Sequence, residues 1–123
     1  MTRILVVDDD PDVVYVIKSI LTREGFEVVE AASGEECLEK IKETSPSMVL
    51  LDVMMPGIDG WETCRRIKSI ESVPVIIVSV RSTYIDKKKS IEYAHADGHI
   101  PKPINFQTLL SEIKSHLKNG DTY

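Results

Sequence analysis

Apolar positions along this chain fall into two alternating kinds of segment. Ile4-Leu5-Val6-Val7, Met48-Val49-Leu50-Leu51 and Val73 to Val80, with Pro74 near its start, are short continuous runs. Runs of that length, rich in β-branched residues, predict strands covered on both faces. Phe26-Glu27-Val28-Val29-Glu30 and Gly98-His99-Ile100-Pro101 are weaker runs that predict two more strands. Between them the rhythm becomes helical. Val13, Val16, Ile17, Ile20 and Leu21 mark one helical face, with Asp10-Pro11 as N-cap and first-turn proline and Gly25 beyond the end. Ser33-Gly34-Glu35-Glu36, and Asp59 with Glu62, read as capping boxes. They open helices carrying Cys37, Leu38 and Ile41, and Trp61, Cys64, Ile67 and Ile70. A polar helix over roughly Thr83 to Tyr93, and a last one capped by Asn105 with Phe106, Leu109, Leu110, Ile113 and Leu117 inward, complete the series.

Five strands alternating with five helices predict a doubly wound α/β fold, a (βα)5 three-layer sandwich on a parallel five-stranded sheet. The commoner small solution has strand order 2-1-3-4-5, which makes strands 1 and 3 neighbours. The domain is expected over residues 1–118, with 119–123 a frayed tail or the start of a linker. Because Met1 lies just before the first strand, the domain is expected to open its natural protein, with room for an output domain after Tyr123.

Composition narrows the function classes. The 123 residues suffice for one domain, and 42% apolar with 28% charged residues is ordinary for a globular protein that folds without staples. A net charge of −5 disfavours nucleic acid and anionic membrane as partners. Cys37 and Cys64 are too few and too far apart for a disulfide scaffold or a metal knuckle, and read as small buried hydrophobes. No apolar stretch reaches the ~18 residues of a membrane span, so a cytoplasmic protein is expected.

The chemistry lies at the strand ends. The first strand ends in Asp8-Asp9-Asp10 and the third in Asp52. Asp10, before Pro11, reads as a helix cap, but that role is redundant for Asp8 and Asp9. In an open parallel sheet the C-terminal edge binds ligands, so Asp8, Asp9 and Asp52 are expected side by side at the switch point. Like charges about 4 Å apart repel by on the order of 4 kcal/mol at an effective dielectric of 20, so such a cluster calls for a cation. Oxygen ligands without His or Cys select a hard ion, and two or three protein oxygens completed by water suit Mg²⁺. Ser79 ends the fourth strand and Lys102, before Pro103, ends the fifth. Either is unremarkable alone, a cap and a solvated ammonium. Together they surround the carboxylates with a hydroxyl and a cation.

With these residues assembled, the chain resembles a response-regulator receiver domain of two-component signalling over nearly all of residues 3–118. Ile4 to Asp10 matches that family's first acidic motif, Leu50 to Gly60 its phosphoacceptor motif, Val78-Ser79 its hydroxyl position, and Lys102-Pro103 its lysine position. The resemblance implies that Asp52 takes a phosphoryl group from the phosphohistidine of a sensor histidine kinase or a phosphotransfer protein. It implies that Asp9, Asp52 and the Met54 carbonyl ligate Mg²⁺, with Asp8 acting partly through water. It further implies that Ser79 and Lys102 hold the phosphoryl oxygens and that the peptide before Pro103 is cis. The output would pass through the fourth and fifth helices and fifth strand to a target protein or an output domain, or through a phosphorylation-dependent homodimer. On this reading the protein is a switch that catalyses its own phosphorylation and hydrolysis, not a turnover enzyme.

Several residues depart from the family pattern. Val80 is bulkier than the usual small residue. His99 stands where many receivers have a Tyr or Phe, which puts an aromatic swing in doubt and suggests a pH-sensitive output. Met54 and Arg81 hold positions that gate the hydrolytic water in receivers. Lys87-Lys88-Lys89 is a solvated helix face or part of a partner surface, and Trp61 is expected in the core. Competing readings are a phosphorylation-independent binding module, a haloacid-dehalogenase-like phosphatase using Asp-x-Asp at Asp8 and Asp10, and a flavodoxin-like flavin carrier. Asp12, where the phosphatase motif has Thr or Val, opposes the second. Carboxylates in place of a phosphate loop oppose the third.

Overall fold

The structure, a computed structural model, describes residues 2–117. The tail assigned to 119–123 lies outside the described residues. Five strands form one parallel sheet in the order β2-β1-β3-β4-β5, as the alternation of elements predicts. They are β1 (Arg3–Val7), β2 (Glu27–Ala31), β3 (Met48–Leu51), β4 (Val75–Ser79) and β5 (Gly98–Pro101). The helices are α1 (Pro11–Arg23), α2 (Gly34–Thr44), α3 (Gly60–Ile70), α4 (Tyr84–Lys88) and α5 (Phe106–His116), and α4 widens into a π-helical turn over Lys89–Tyr93.

Alternation along the strands sends side chains into two cores. Leu5, Val7, Val49, Leu51 and Ile77 meet Cys37 and Ile41 of α2 and Trp61, Cys64 and Ile67 of α3. Ile4, Val6, Leu50, Ile76 and Val78 meet Val14, Ile17 and Leu21 of α1 and Leu109 and Ile113 of α5. Full burial of each such side chain stabilises by about 1.5–3 kcal/mol. Both thiols lie in the first core, fully buried, and burial pushes each up to about 12.

The buried faces of the helices differ from the expected stripes. In α1 the buried residues are Val14, Ile17, Ile20 and Leu21, while Val16 is 43% exposed and Val13 only partly buried. The expected stripe was therefore turned at its N-terminal end. Phe106, expected inward, is 54% exposed at the first position of α5, and Ile70 is 53% exposed at the last position of α3. β4 is also shorter than the apolar run from Val73 to Val80.

Caps fix where the helices begin. Asp10, Ser33, Asp59 and Asn105 each accept from a backbone N–H of the first turn. The two expected capping boxes are incomplete in the reciprocal sense: Glu36 accepts from Ala32 N instead, and Glu62 bonds Arg66 and the Tyr93 hydroxyl. The full box is at Thr83 and Asp86, opening α4. No helix among the described residues is long and apolar enough to cross a membrane.

Candidate functional site

Register delivers the carboxylates. β1 and β3 pair Val7 with Leu51, so Asp8 and Asp52 leave adjacent strands together. The Asp52 N–H donates to Val7 O at 3.0 Å and the Asp8 N–H to Ala31 O at 3.1 Å, extending the ladder past the strands. One carboxylate oxygen from each of Asp8, Asp9 and Asp52 lies within 4.8 Å of the other two. Asp8 and Asp52 are buried, and Asp9 faces outward. Asp10 accepts from Asp12 N at 2.9 Å as the helix cap, which removes it from the cluster.

Lys102 enters from the end of β5. Its Nζ stands 2.7 Å from Asp8 Oδ2 and 3.5 Å from Asp52 Oδ2. The backbone bends there at a cis Lys102–Pro103 peptide. Ser79 is fully buried at the end of β4, its hydroxyl oxygen accepting from Arg81 N at 3.1 Å and its carbonyl from Lys102 N at 3.0 Å. Met54 projects at the rim, 54% exposed. All the expected site residues thus gather at one sheet edge.

Burial raises the Asp52 carboxyl above its ordinary range, and the Asp8 charge raises it further. The Lys102 charge and the N–H groups of Met54 and Val53 pull the other way. Those N–H groups approach the carboxylate but leave Oδ1 buried without a hydrogen-bond partner of normal geometry. Burying an ionised oxygen in that position is costly without a compensating charge. The donor set, three carboxylates without His or Cys, fits a hard divalent cation.

A carboxyl raised in the folded state loses protons more readily when unfolded, so stability falls as pH rises from the ordinary 3.8 through the raised folded value. Asp52→Asn removes that loss. In metal-free buffer at neutral pH the variant is expected to unfold at a higher Tm, by about 1–3 kcal/mol in stability. The gain should fade as the pH approaches the ordinary value. Paired melts across this range check it, and an unchanged or lower Tm at neutral pH contradicts the electrostatic account.

Around this centre lies a wall that the sequence did not reveal. Trp61 is buried, with Lys89 Nζ 4.3 Å and the Arg81 guanidinium 5.2 Å from its ring centroid. The lysine run is therefore not uniformly solvated: Lys89 lies on the indole, while Lys88 faces Glu92 at 3.8 Å. His99 bonds Ser82 and Ser90 through its two ring nitrogens. No short-range periodicity marks that group, whose members come from four separate segments.

The model of the response regulator receiver domain matches residues 4–114. This chain belongs to that family. As a receiver it is 37% identical over 121 residues to the transcriptional regulatory protein AfsQ1 of Streptomyces coelicolor, covering 98% of this chain and 53% of that one. The receiver spans about half the length of the curated relatives it matches. Among solved structures it superposes on the BeF3-activated N-terminal receiver domain of Klebsiella pneumoniae RstA with a TM-score of 0.91, at 30% identity over 96% of this chain and all of that one. With the Thermotoga maritima response regulator TrrA in complex with Mg²⁺-BeF the TM-score is 0.85, at 37% identity over 95% and 100% of the two chains. A receiver domain of two-component response regulators is a signalling switch.

Proposed function

We propose that Asp52 is the phosphoacceptor of this receiver and that the acidic cluster works with Mg²⁺. The observation that carries the reading is Asp52 Oδ1, buried without a hydrogen-bond partner, on a carboxylate whose other oxygen, Oδ2, lies 3.5 Å from the Lys102 ammonium. Asp9, Asp52 and the Met54 carbonyl would hold the ion directly, and Asp8, already bonded to Asp10 N and Lys102, would hold it through water. When bound, Mg²⁺ neutralises charge on the phosphoryl oxygens and on the carboxylates that face them.

The chain's own groups do the rest. An Asp52 oxygen attacks phosphorus, a P–O bond forms to give an acyl phosphate, and the bond to the donor breaks. With phosphohistidine that is a P–N bond, whose electron pair stays on the imidazole. With acetyl phosphate it is a P–O bond, and acetate leaves. The Lys102 ammonium, 2.7 Å from Asp8 Oδ2, would turn to the phosphoryl charge, and the Ser79 hydroxyl would donate to an equatorial oxygen. A dianion on Asp52 then draws Ser79 and the loop after β4 inward, which alters the surface of α4, β5 and α5. The partners are a histidine kinase or phosphotransfer protein upstream, and downstream an output domain on the same polypeptide or a separate target. The half-length match to transcriptional regulatory proteins supports an output domain.

The test is intact mass and peptide mapping after incubation with acetyl phosphate, with and without Mg²⁺. One phosphoryl adduct is expected, dependent on the metal, mapped to Asp52 and absent from Asp52→Asn. An adduct on Asp8, or one that survives in the variant, refutes the assignment.

A further inference from the structure

His99 on β5 bonds side chains of two other segments. Its Nε2 lies 3.0 Å from Ser82 Oγ, on the loop after β4, and its Nδ1 lies 2.8 Å from Ser90 Oγ, in the π-helical turn. Ser82 has Ser79 O at 2.8 Å as the nearer acceptor for its hydroxyl proton, and with that bond made it accepts from His99, whose Nε2 then carries a proton. Ser90 accepts from the Trp61 indole N–H at 2.9 Å. Its own proton has two acceptors, His99 Nδ1 at 2.8 Å and Asp86 O at 3.2 Å. With neutral His99 the proton goes to Nδ1. With protonated His99, Nδ1 donates to Ser90, whose proton turns to Asp86 O. Both charge states are satisfied, and they differ by the direction of one hydroxyl that also holds Trp61.

We propose that His99 is a positioning residue that ties the loop bearing Ser79 to Trp61 through the reversible Ser90 hydroxyl, so that the surroundings of the Trp61 indole follow the charge state of His99. Charged groups facing His99 are Asp86 and Lys87 of α4, with Arg81 paired to Asp86 at 3.1 Å. From α5, Glu112 and His116 pair with each other beside Gly98. Lys89 and Arg81 also lie against the Trp61 ring. Burial lowers the His99 imidazole from its ordinary 6.5 and Lys87 adds to this, against the Arg81 backbone and Asp86. Negative charge added near Ser79 favours the imidazolium, and by linkage the imidazolium favours the charged site. Only this last arm rests on Asp52 as phosphoacceptor.

The experiment follows the His99 ring nitrogens by NMR, and Trp61 by emission and by its indole proton, between about pH 8 and pH 5, where imidazoles titrate. In wild type the neutral ring should be the Nε2–H tautomer, and Trp61 should change with the same midpoint as His99. His99→Gln keeps a donor and an acceptor without a charge and should abolish the Trp61 titration. Ser90→Ala should leave His99 titrating while Trp61 stops following it, a separation that a merely structural role for His99 does not produce. Mg²⁺ with beryllofluoride should raise the His99 midpoint by about half a unit, roughly threefold in proton affinity. The proposal fails if Trp61 is indifferent to pH in wild type, or still titrates in His99→Gln, or still follows His99 in Ser90→Ala. ¹⁹F NMR separates the two readings. Bound fluoride with an unmoved His99 midpoint overturns the coupling. Absence of bound fluoride counts against the Asp52 assignment, and the pH arm then decides the proposal.

Discussion

Gly60→Ala is expected to destabilise the protein by about 3 kcal/mol or more, at or above the upper end of ordinary overpacking, and to spoil the site with it. The reason is distance. A Cβ on Gly60 would stand 2.0 Å from the Asp52 carbonyl oxygen and 2.6 Å from Val53 Cα, both backbone atoms that cannot swing aside. Here α3 starts directly against the turn that follows β3, tied by the Gly60 N–H to Val53 O at 2.9 Å and capped by Asp59. Any shift that relieves the clash moves either the helix or the peptide that aims Asp52. Denaturant melts of wild type and variant check this, together with the yield of phosphoryl adduct. A variant of wild-type stability would show that the turn relaxes freely and that the close approach has no energetic weight.

Lys102→Met carries the second large effect. In its place inside the site the ammonium is the one side-chain cation within 4.0 Å of both Asp8 and Asp52 among the described residues. Removing one member of a buried charge group leaves the others uncompensated, which typically costs about 3–5 kcal/mol. Methionine fills much of the same space, so the loss is electrostatic rather than a cavity. The variant should therefore be weakened in metal-free buffer at neutral pH and regain much of the difference when Mg²⁺ is added, since the ion supplies the missing positive charge. It should also take up phosphoryl more slowly than wild type. Calorimetry with and without the ion distinguishes this from a packing defect, because a packing defect gives the same loss in both buffers.

The fold and the centre were largely legible because both depend on short-range pattern. Continuous apolar runs marked β1, β3 and β4, and the alternation with helices led to the strand order through general rules of handedness. Asp8, Asp9, Asp52, Ser79 and Lys102 could be assembled because each stands at the end of a predicted strand, and in a parallel sheet those ends share one edge. What escaped depends on choices that spacing does not make. Val13, Val14, Val16 and Ile17 in α1 offer two overlapping apolar stripes, and only contact with Ile4, Val6 and Leu50 selects the one containing Val14. The π-helical turn has no sequence signature of its own. It brings Ser90 inward to Trp61 and His99, a meeting of residues 29 positions apart on one side and 9 on the other. Asp86, in a helix read as simply polar, is buried because the box with Thr83 and the bond to Arg81 satisfy it. Its carboxyl is held low, chiefly by the Thr83 backbone N–H.

The two cysteines described in the first core give the molecule an internal clock. With thiols pushed up to about 12 and no exposed surface, neither Cys37 nor Cys64 offers a reactive thiolate while the domain is closed. They sit on separate helices, α2 and α3, packed on one face of the sheet. An alkylating reagent would thus mark each opening of that face, and the ratio of label at the two positions would tell whether α2 and α3 leave the sheet together or one before the other.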